Sequence, residues 1–417
     1  MAEDNSVAYK AFVGIDWADQ KHDICVQSSN NSKREFSVLK HDVKAIEEWA
    51  LNLFNKYKGP IAVALELTKG PIVYALQKYD FIVLYPIDPT TLARYRTAFK
   101  TSRAKDDPTD AELALELMLR YPKKFKPLRP QSEDMRKLMY LVEFRRKLVE
   151  DNKRFGNRLV NTLKQYYPQI LDWFSHRNTE IFCKFVIKWP SLQKIKRAKE
   201  DTVRDFFRKH SPRSLPLLEA RLQCIRDSTP LTEDSAVLST HQLQTISIAE
   251  QMLATIKSIR KFDKQIHDTF YSLPDAKLFD CLPGAGPKLA PRLLAAFGEQ
   301  RERYSSARGI QQHAGIAPVT ERSGKKEWVH WRWTCSKFLR QTFIEWANKT
   351  RLSSYWAEIY YQKQREKGNP HNVAVRALAF KWIRILYSCW KNKVPYDEVK
   401  YLNSLKRNGS PLLVKTG

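Results

Sequence analysis

The chain has 417 residues, too many for one ordinary core, so two or three domains are expected. Lys plus Arg number 72 against 45 Asp plus Glu, a net charge of +27, while 43% of residues are hydrophobic and can fill packed interiors. The excess is spread along the chain, which argues against a basic tail and for a polyanionic partner, nucleic acid first; no run of about 18 apolar residues occurs, so no membrane span is expected.

The opening MAEDNSVAYK is acidic and poor in apolar residues, unlike a signal peptide. Six cysteines, at 25, 183, 224, 281, 335 and 389, never fall in CxxC spacing. Neither a zinc ribbon nor a disulfide framework is expected, and a reducing, cytoplasmic compartment fits.

Residues 8–125 read as an α/β domain. Strand-like runs are AFVGI, DICVQ and REFSVL; a helix follows in HDVKAIEEWALNLFNKY, with Val43, Ile46, Trp49, Ala50 and Leu53 on one face. Strand PIAVALE, helix PIVYALQKY, strand FIVLYPI and a helix after DDPTD complete a mixed sheet with helices around it. Residues 126–272 change character: Leu141, Phe144, Leu148, Phe155, Leu159 and Leu163 recur at helical spacing, as do Ile246, Leu253, Ile256, Ile259 and Ile266. The spacing predicts two long amphipathic helices paired as an antiparallel coiled coil. Arg145 and Arg146 belong to a basic run on the first of them, either a solvated face or a nucleic-acid contact. The segment 175–240, rich in Pro and Arg, has no readable place. Residues 273–397 read as an all-α unit, with Val375, Leu378, Trp382, Ile385 and Cys389 on the buried side of its last helix, and 398–417 as a flexible tail.

Four acids stand out. Asp16 and Glu66 end apolar strands; Asp107 and Asp110 lie in KDDPTDAELALEL. Each has a plain use: a turn residue, a strand-end charge, an N-cap with Pro108 as first helical residue, a capping-box partner. As a set they read differently. Strand ends on one sheet edge converge, and acids at i and i+3 share a helix face. Gathered carboxylates repel unless cations lie between them, and magnesium prefers such hard oxygen ligands. Two ions about 4 Å apart would suit phosphodiester chemistry.

DCLPGAGPKLAPRLLAAFG (280–298) has the pattern of a helix-hairpin-helix. Gly284 and Gly286 permit a tight turn and close approach, and the next helix start, with Lys288, aims N–H groups at a phosphate. In HAGIAPVTERSGKKEWVHWRW (313–333), Ser323–Gly324 ends an irregular loop followed by Lys325 and Lys326. Such a pair is an ordinary turn; among lysines and near a metal-bound phosphate, the hydroxyl is also a possible nucleophile. Trp328, Trp331 and Trp333, interleaved with His330 and Arg332, would stack on bases or fill a core.

Taken together, GID at Asp16, ELTKG at Glu66, KDDPTDA at Lys105, Asp107, Asp110 and Ala111, and AGIAPVTERSG ending at Ser323 resemble the DEDD-type insertion-sequence transposases, also described as bridge-RNA-guided recombinases. The resemblance covers about 8–125 and 275–397. It implies a RuvC-like, RNase H-type first domain, a C-terminal transposase domain, and a composite site in which Asp16, Glu66, Asp107 and Asp110 of one subunit hold Mg2+ (or Mn2+ in its place) while Ser323 comes from another. The serine would join a DNA end and be displaced by a DNA hydroxyl, so no ATP is needed. It further implies double-stranded donor and target DNA, a structured guide RNA and a homo-oligomer, dimer or tetramer, with no membrane. Three features depart from the pattern: Lys69 inside the Thr–Gly element, a longer 170–240 region, and Gln341 where arginine is common. Thr334 and Ser336 are further hydroxyls near Ser323. Two other readings use the same residues: a hydrolytic RuvC-like nuclease or junction resolvase, with water as attacker, and a non-catalytic nucleic-acid-binding scaffold.

Overall fold

The computed structural model describes residues 8–99, 107–324, 326–410 and 412, which fall into two compact units, 1–130 and 131–417. Lys105 and Lys325 lie outside the described residues.

The first unit is built on strands β1 (Ala11–Trp17), β2 (Lys21–Ser28), β3 (Arg34–Lys40), β4 (Ile61–Leu65) and β5 (Ile82–Pro86), with helices α1 (Val43–Tyr57), α2 (Pro71–Leu76), α3 (Pro89–Phe99) and α4 (Asp107–Arg120). The sheet order is β3-β2-β1-β4-β5. The hairpin strands β2 and β3 run antiparallel, and β1, β4 and β5 run parallel. Alternation divides the side chains between two cores. Val13, Ile15, Val63 and Leu65 pack with Ile46, Ala50, Ile72 and Val73 of α1 and α2. Ala62 and Ala64 pack with Leu92 of α3 and with Leu113, Ala114 and Leu117 of α4 on the opposite face. Asp42 caps α1 by accepting from the N–H groups of Lys44 and Ala45, and so fixes where that helix begins. Of the five residues expected on its buried face, Val43 is exposed, because it sits in the first turn ahead of the sheet contact.

The second unit opens with α5 (Glu133–Leu163) and returns along α11 (Ser235–Ser272). The two helices are antiparallel: Met135 and Leu138 share a core with Ile266 and Phe270, whereas Leu159 and Leu163 share one with Ile248 and Met252. The buried seam of α5, at Met135, Leu138, Val142, Asn152, Gly156, Leu159 and Leu163, keeps the three–four spacing of a coiled coil. Phe144 therefore lies off the seam and is exposed, contrary to its place in the sequence pattern. Between the long helices, α6 (Ile170–Trp173), α7 (Glu180–Lys188), α8 (Leu192–Lys196), α9 (Glu200–His210) and α10 (Leu218–Asp227) form a lobe around Phe182, Phe185, Trp189, Phe206 and Phe207. This lobe holds most of the 175–240 segment, and its aromatic residues cover the far end of the α5–α11 pair.

Helices α12 (Ala276–Asp280), α13 (Gly286–Phe297), α14 (Ala307–His313), α15 (Lys337–Thr350), α16 (Tyr355–Glu366), α17 (His371–Asn392) and α18 (Glu398–Arg407) complete the unit. Trp346, Trp356, Trp382 and Trp390 are fully buried, and each indole N–H finds an acceptor: Pro283 O, Tyr396 Oη, Thr350 Oγ1 and Gly298 O. Val375, Leu378 and Trp382 of α17 are buried as their spacing predicts, with Ile385 partly buried. Two expectations need correcting. This region is mostly helical rather than all-α, because strands β6 (Val319–Ser323) and β7 (Lys326–His330) pair as an antiparallel hairpin where an irregular loop was expected. The stretch beginning at 398 carries α18, whose Tyr401, Leu402 and Leu405 pack on the C-terminal core. No helix among the described residues is long and apolar enough to cross a membrane.

Candidate active site and nucleic-acid surface

Parallel pairing of Ile15 with Leu65 places Asp16 and Glu66 one residue past the same rung, at the carboxyl edge of β1 and β4. Helix α4 crosses that face closely. A Cβ on Gly14 would stand 1.9 Å from the carbonyl oxygen of Ala111, so only glycine admits the helix here. Ala111 and Leu115 pack on Cys25, the cross-strand neighbour of Gly14, while Leu119 lies farther along toward Phe12. Helix α4 thus runs antiparallel to β1 and begins at the edge where Asp16 and Glu66 lie. Asp107 opens it, with a side chain outside the described set.

Asp110 is 3% exposed and bound by Arg96 of α3, whose Nε donates to Oδ1 at 2.6 Å and whose Nη2 donates to Oδ2. Both carboxylate oxygens are engaged. Among the described residues no three His, Cys, Asp or Glu side chains are gathered as a metal-binding group. The donors at the edge are all carboxylates, the hard oxygen ligands a divalent ion takes. Asp16 and Glu66 bring that donor chemistry to the ends of two neighbouring strands, while Asp110 is held by Arg96.

One acid is absent from the sequence pattern. Asp23 of β2 pairs directly with Asp16 in the antiparallel register and is 7% exposed, near Lys21 Nζ at 3.9 Å. Directly opposed residues share a sheet face, so Asp23 belongs to the same edge. The short connection between β1 and β2 was the available signal. Arg96 had none, since α3 is not distinguished in the sequence by its apolar spacing.

Ser323 closes β6 at the tip of the exposed hairpin, paired with Lys326, and Gly324 follows with φ +57°. Arg322 Nε donates to Glu327 Oε2 at 2.9 Å across the strands. Of the other hydroxyls, Ser336 caps α15 by accepting from Leu339 N at 3.3 Å, while Thr334 is exposed. Trp328, Trp331 and Trp333 are not core residues; Trp333 is 82% exposed, and Trp331 lies beneath the guanidinium of Arg376, 3.6 Å from the ring centre. Arg332 is half-buried and its Nε donates to Ala317 O.

The turn between α12 and α13 holds Gly284 and Gly286 at φ +69° and +53°. At the start of α13, Pro287 has no N–H, while those of Gly286 and Lys288 precede the first intrahelical bond, Leu289 N to Ala285 O. Gly284 and Lys288 line one cavity with Arg145 and Arg146 of α5, so basic residues more than a hundred positions apart in sequence converge.

Comparison with known proteins identifies the class. Residues 13–168 match a DEDD-type family described as "Transposase", and residues 276–362 match the "Transposase IS116/IS110/IS902 family". Matches at both ends of one chain make it a DNA transposase or recombinase. It belongs to the IS116/IS110/IS902 family of transposases, which implies a DNA substrate and use of a divalent metal ion. A "Mini-circle putative transposase for IS117" from Streptomyces coelicolor is 27% identical over 93% of this chain and 95% of its own length. An insertion element IS116 protein of Streptomyces clavuligerus is 24% identical over 73% of this chain and 75% of its own length. A pilin gene-inverting protein of Moraxella bovis is 27% identical over 34% of this chain and 46% of its own.

Proposed function

We propose that this chain moves an insertion sequence by cutting and rejoining DNA through a serine nucleophile, with Asp16, Glu66, Asp107 and Asp110 holding magnesium at the scissile phosphate and a structured RNA supplying sequence choice. The observation that carries the reading is the meeting of three chain segments at one edge: the ends of β1 and β4 and the start of α4. The sheet order and strand directions support a RuvC-like, RNase H-type domain.

Magnesium bound there would polarise the phosphate and stabilise the departing oxygen. The Ser323 hydroxyl attacks phosphorus, the bond to one DNA oxygen breaks, and that oxygen leaves as a hydroxyl. A hydroxyl of a second DNA end then attacks the serine phosphodiester and frees Ser323. Each step exchanges one phosphodiester for another, so no nucleotide triphosphate is consumed. Exposure of Ser323 on a projecting hairpin suits delivery to a site on another subunit, and the helix cap formed by Ser336 favours Ser323 over it. The turn at Gly284 and Gly286 serves as a helix-hairpin-helix phosphate contact, with Lys288, Lys325, Lys326, Arg332, Arg145 and Arg146 as further contacts to DNA or RNA. A dimeric or tetrameric assembly in the cytoplasm of a prokaryote completes the reading.

Strand cleavage in Mg2+ tests it. Asp16→Asn and Glu66→Gln should each lower the rate by about a hundredfold or more, with circular dichroism and melting temperature little changed. Cleavage at the parent rate by both variants would refute the proposed acids.

A further inference from the structure

The coiled-coil seam between α5 and α11 does not close in the middle. Its positions continue at Arg145, Val149 and Asn152 on one helix and at Ile256, Ile259 and Asp263 on the other. All six line a cavity of 820 Å³, walled on its other sides by α13 and α15. That volume lies within the range of small-ligand sites, about 300–1,000 Å³. At both ends of the seam ordinary apolar packing resumes.

The polar groups in this gap are incompletely satisfied. Asn152 is only 9% exposed, and its Oδ1 is buried with no hydrogen-bond partner. Arg146 Nε and Arg292 Nη2 are likewise buried without partners. These two guanidiniums lie over one ring, Phe338, at 5.9 and 5.7 Å from its centre, so two like charges share a small space. Acids neutralise part of the lining: Asp263 accepts from Arg145 at 2.5 Å, Glu345 from Arg292 at 2.5 Å and Glu150 from Arg146 at 2.7 Å. Lys288 and Lys349, both exposed, leave the rim positive beside the turn at Gly284.

Unpartnered buried polar atoms are costly, and three residues of this lining each carry one, which favours a ligand that supplies both an acceptor for N–H groups and a donor for an amide oxygen once these side chains turn toward it. An unpaired nucleotide has both. Its phosphate would meet Lys288, Lys349 and the first-turn N–H groups of α13, its base edge would present an amino group to Asn152 and ring-nitrogen acceptors to Arg146 and Arg292, and its apolar faces would contact Val149, Ile256 and Ile259. Resting on the nucleic-acid reading above, we infer that the open middle of the α5–α11 seam is a pocket for a single unpaired nucleotide of a bound strand.

Fluorescence anisotropy with the full chain tests this, using three otherwise identical labelled duplexes: perfectly paired, carrying one bulged adenosine, and carrying one abasic bulge. The bulged adenosine should bind about tenfold tighter than the abasic bulge, the scale of one good base contact. That ratio should fall toward one in Asn152→Leu and in Arg292→Gln. Lys349→Gln, at an exposed position where folding is not at stake, should weaken both bulged duplexes at least about threefold through the lost phosphate contact and leave the ratio between them unchanged, and melting curves identify any variant that fails to fold. Equal binding of the adenosine and abasic bulges by the parent protein overturns the pocket while leaving nucleic-acid binding intact. Failure of all three duplexes to bind in about 50 mM salt would overturn both.

Discussion

Asp16 of β1 lies directly opposite Asp23 of β2 in the antiparallel register. Two carboxylates thus face one another across a strand pair, and like charges so placed destabilise by about 0.2–1 kcal/mol. A divalent cation bound to Asp16 would reverse that sign. Asp23→Asn should therefore melt at the same or a higher temperature in chelator, and gain less than the parent protein from added Mg2+ or Mn2+. Thermal melts with and without metal check this; a fall of several degrees in chelator would make Asp23 a structural acceptor instead.

Arg96 and Asp110 form a second testable pair. Removing the guanidinium strands a carboxylate that is almost fully enclosed. Breaking a buried pair costs about 3–5 kcal/mol; because Arg96 is partly exposed, the lower end applies to Arg96→Gln. If Asp110 also serves a metal ion, Mg2+ should restore part of the loss. Urea unfolding in chelator and in Mg2+ measures the difference, and an identical loss in both would confine Asp110 to a structural role.

Gly14 and Gly324 give opposite expectations for the same substitution. Gly14→Ala drives a methyl into the Ala111 carbonyl, so α4 must shift away from β1. Overpacking of this kind costs about 1–3 kcal/mol, and cleavage should fall with stability because the start of α4 moves. Gly324→Ala meets nothing within 4 Å and carries only the strain of a positive φ, about 1 kcal/mol. Paired denaturation and cleavage assays would expose any reversal of that order.

His22 sets an acid limit on the first unit. It is fully buried beside His41, with Nε2 and Nδ1 2.9 Å apart, and burial, followed by the neighbouring imidazole, lowers its pKa to about 4. The unfolded chain, with a histidine near 6.5, binds the proton first. Stability from this group is complete above about pH 6.5 and is lost as pH falls toward about 4. Melting temperature should decline across that window, and His22→Gln should flatten the decline.

The net charge of +27 predicts that nucleic-acid affinity falls steeply between about 50 and 200 mM salt, since each phosphate contact releases counterions. A flat response would remove the electrostatic argument for a polyanion.

Local patterns show which of these features the sequence could disclose. The continuous apolar runs AFVGI and IAVAL were enough to locate β1 and β4, and so the edge with Asp16 and Glu66, because strands buried on both faces leave little choice of residue. The long helices were equally visible from their spacing, but the phase was not: Phe144 and Leu148 look like core next to Arg145, whereas the seam runs through Arg145 and Val149. A charged residue on the seam hides it from any reading based on apolar spacing. The β6–β7 hairpin was missed because almost every residue in it is exposed, so no hydrophobic alternation marks it. The Arg96–Asp110 pair and the register of Asp23 depend on how elements pack and pair, information that a list of strand ends does not hold.

The most direct test of the central claim is capture of a covalent protein–DNA adduct on a nicked suicide substrate in Mg2+. The account predicts an adduct that maps to Ser323, disappears in Ser323→Ala, and fails to form in Asp16→Asn although both variants still bind DNA. Strand cleavage by Ser323→Ala at the parent rate, with no adduct in either protein, would contradict it and make water the attacking group.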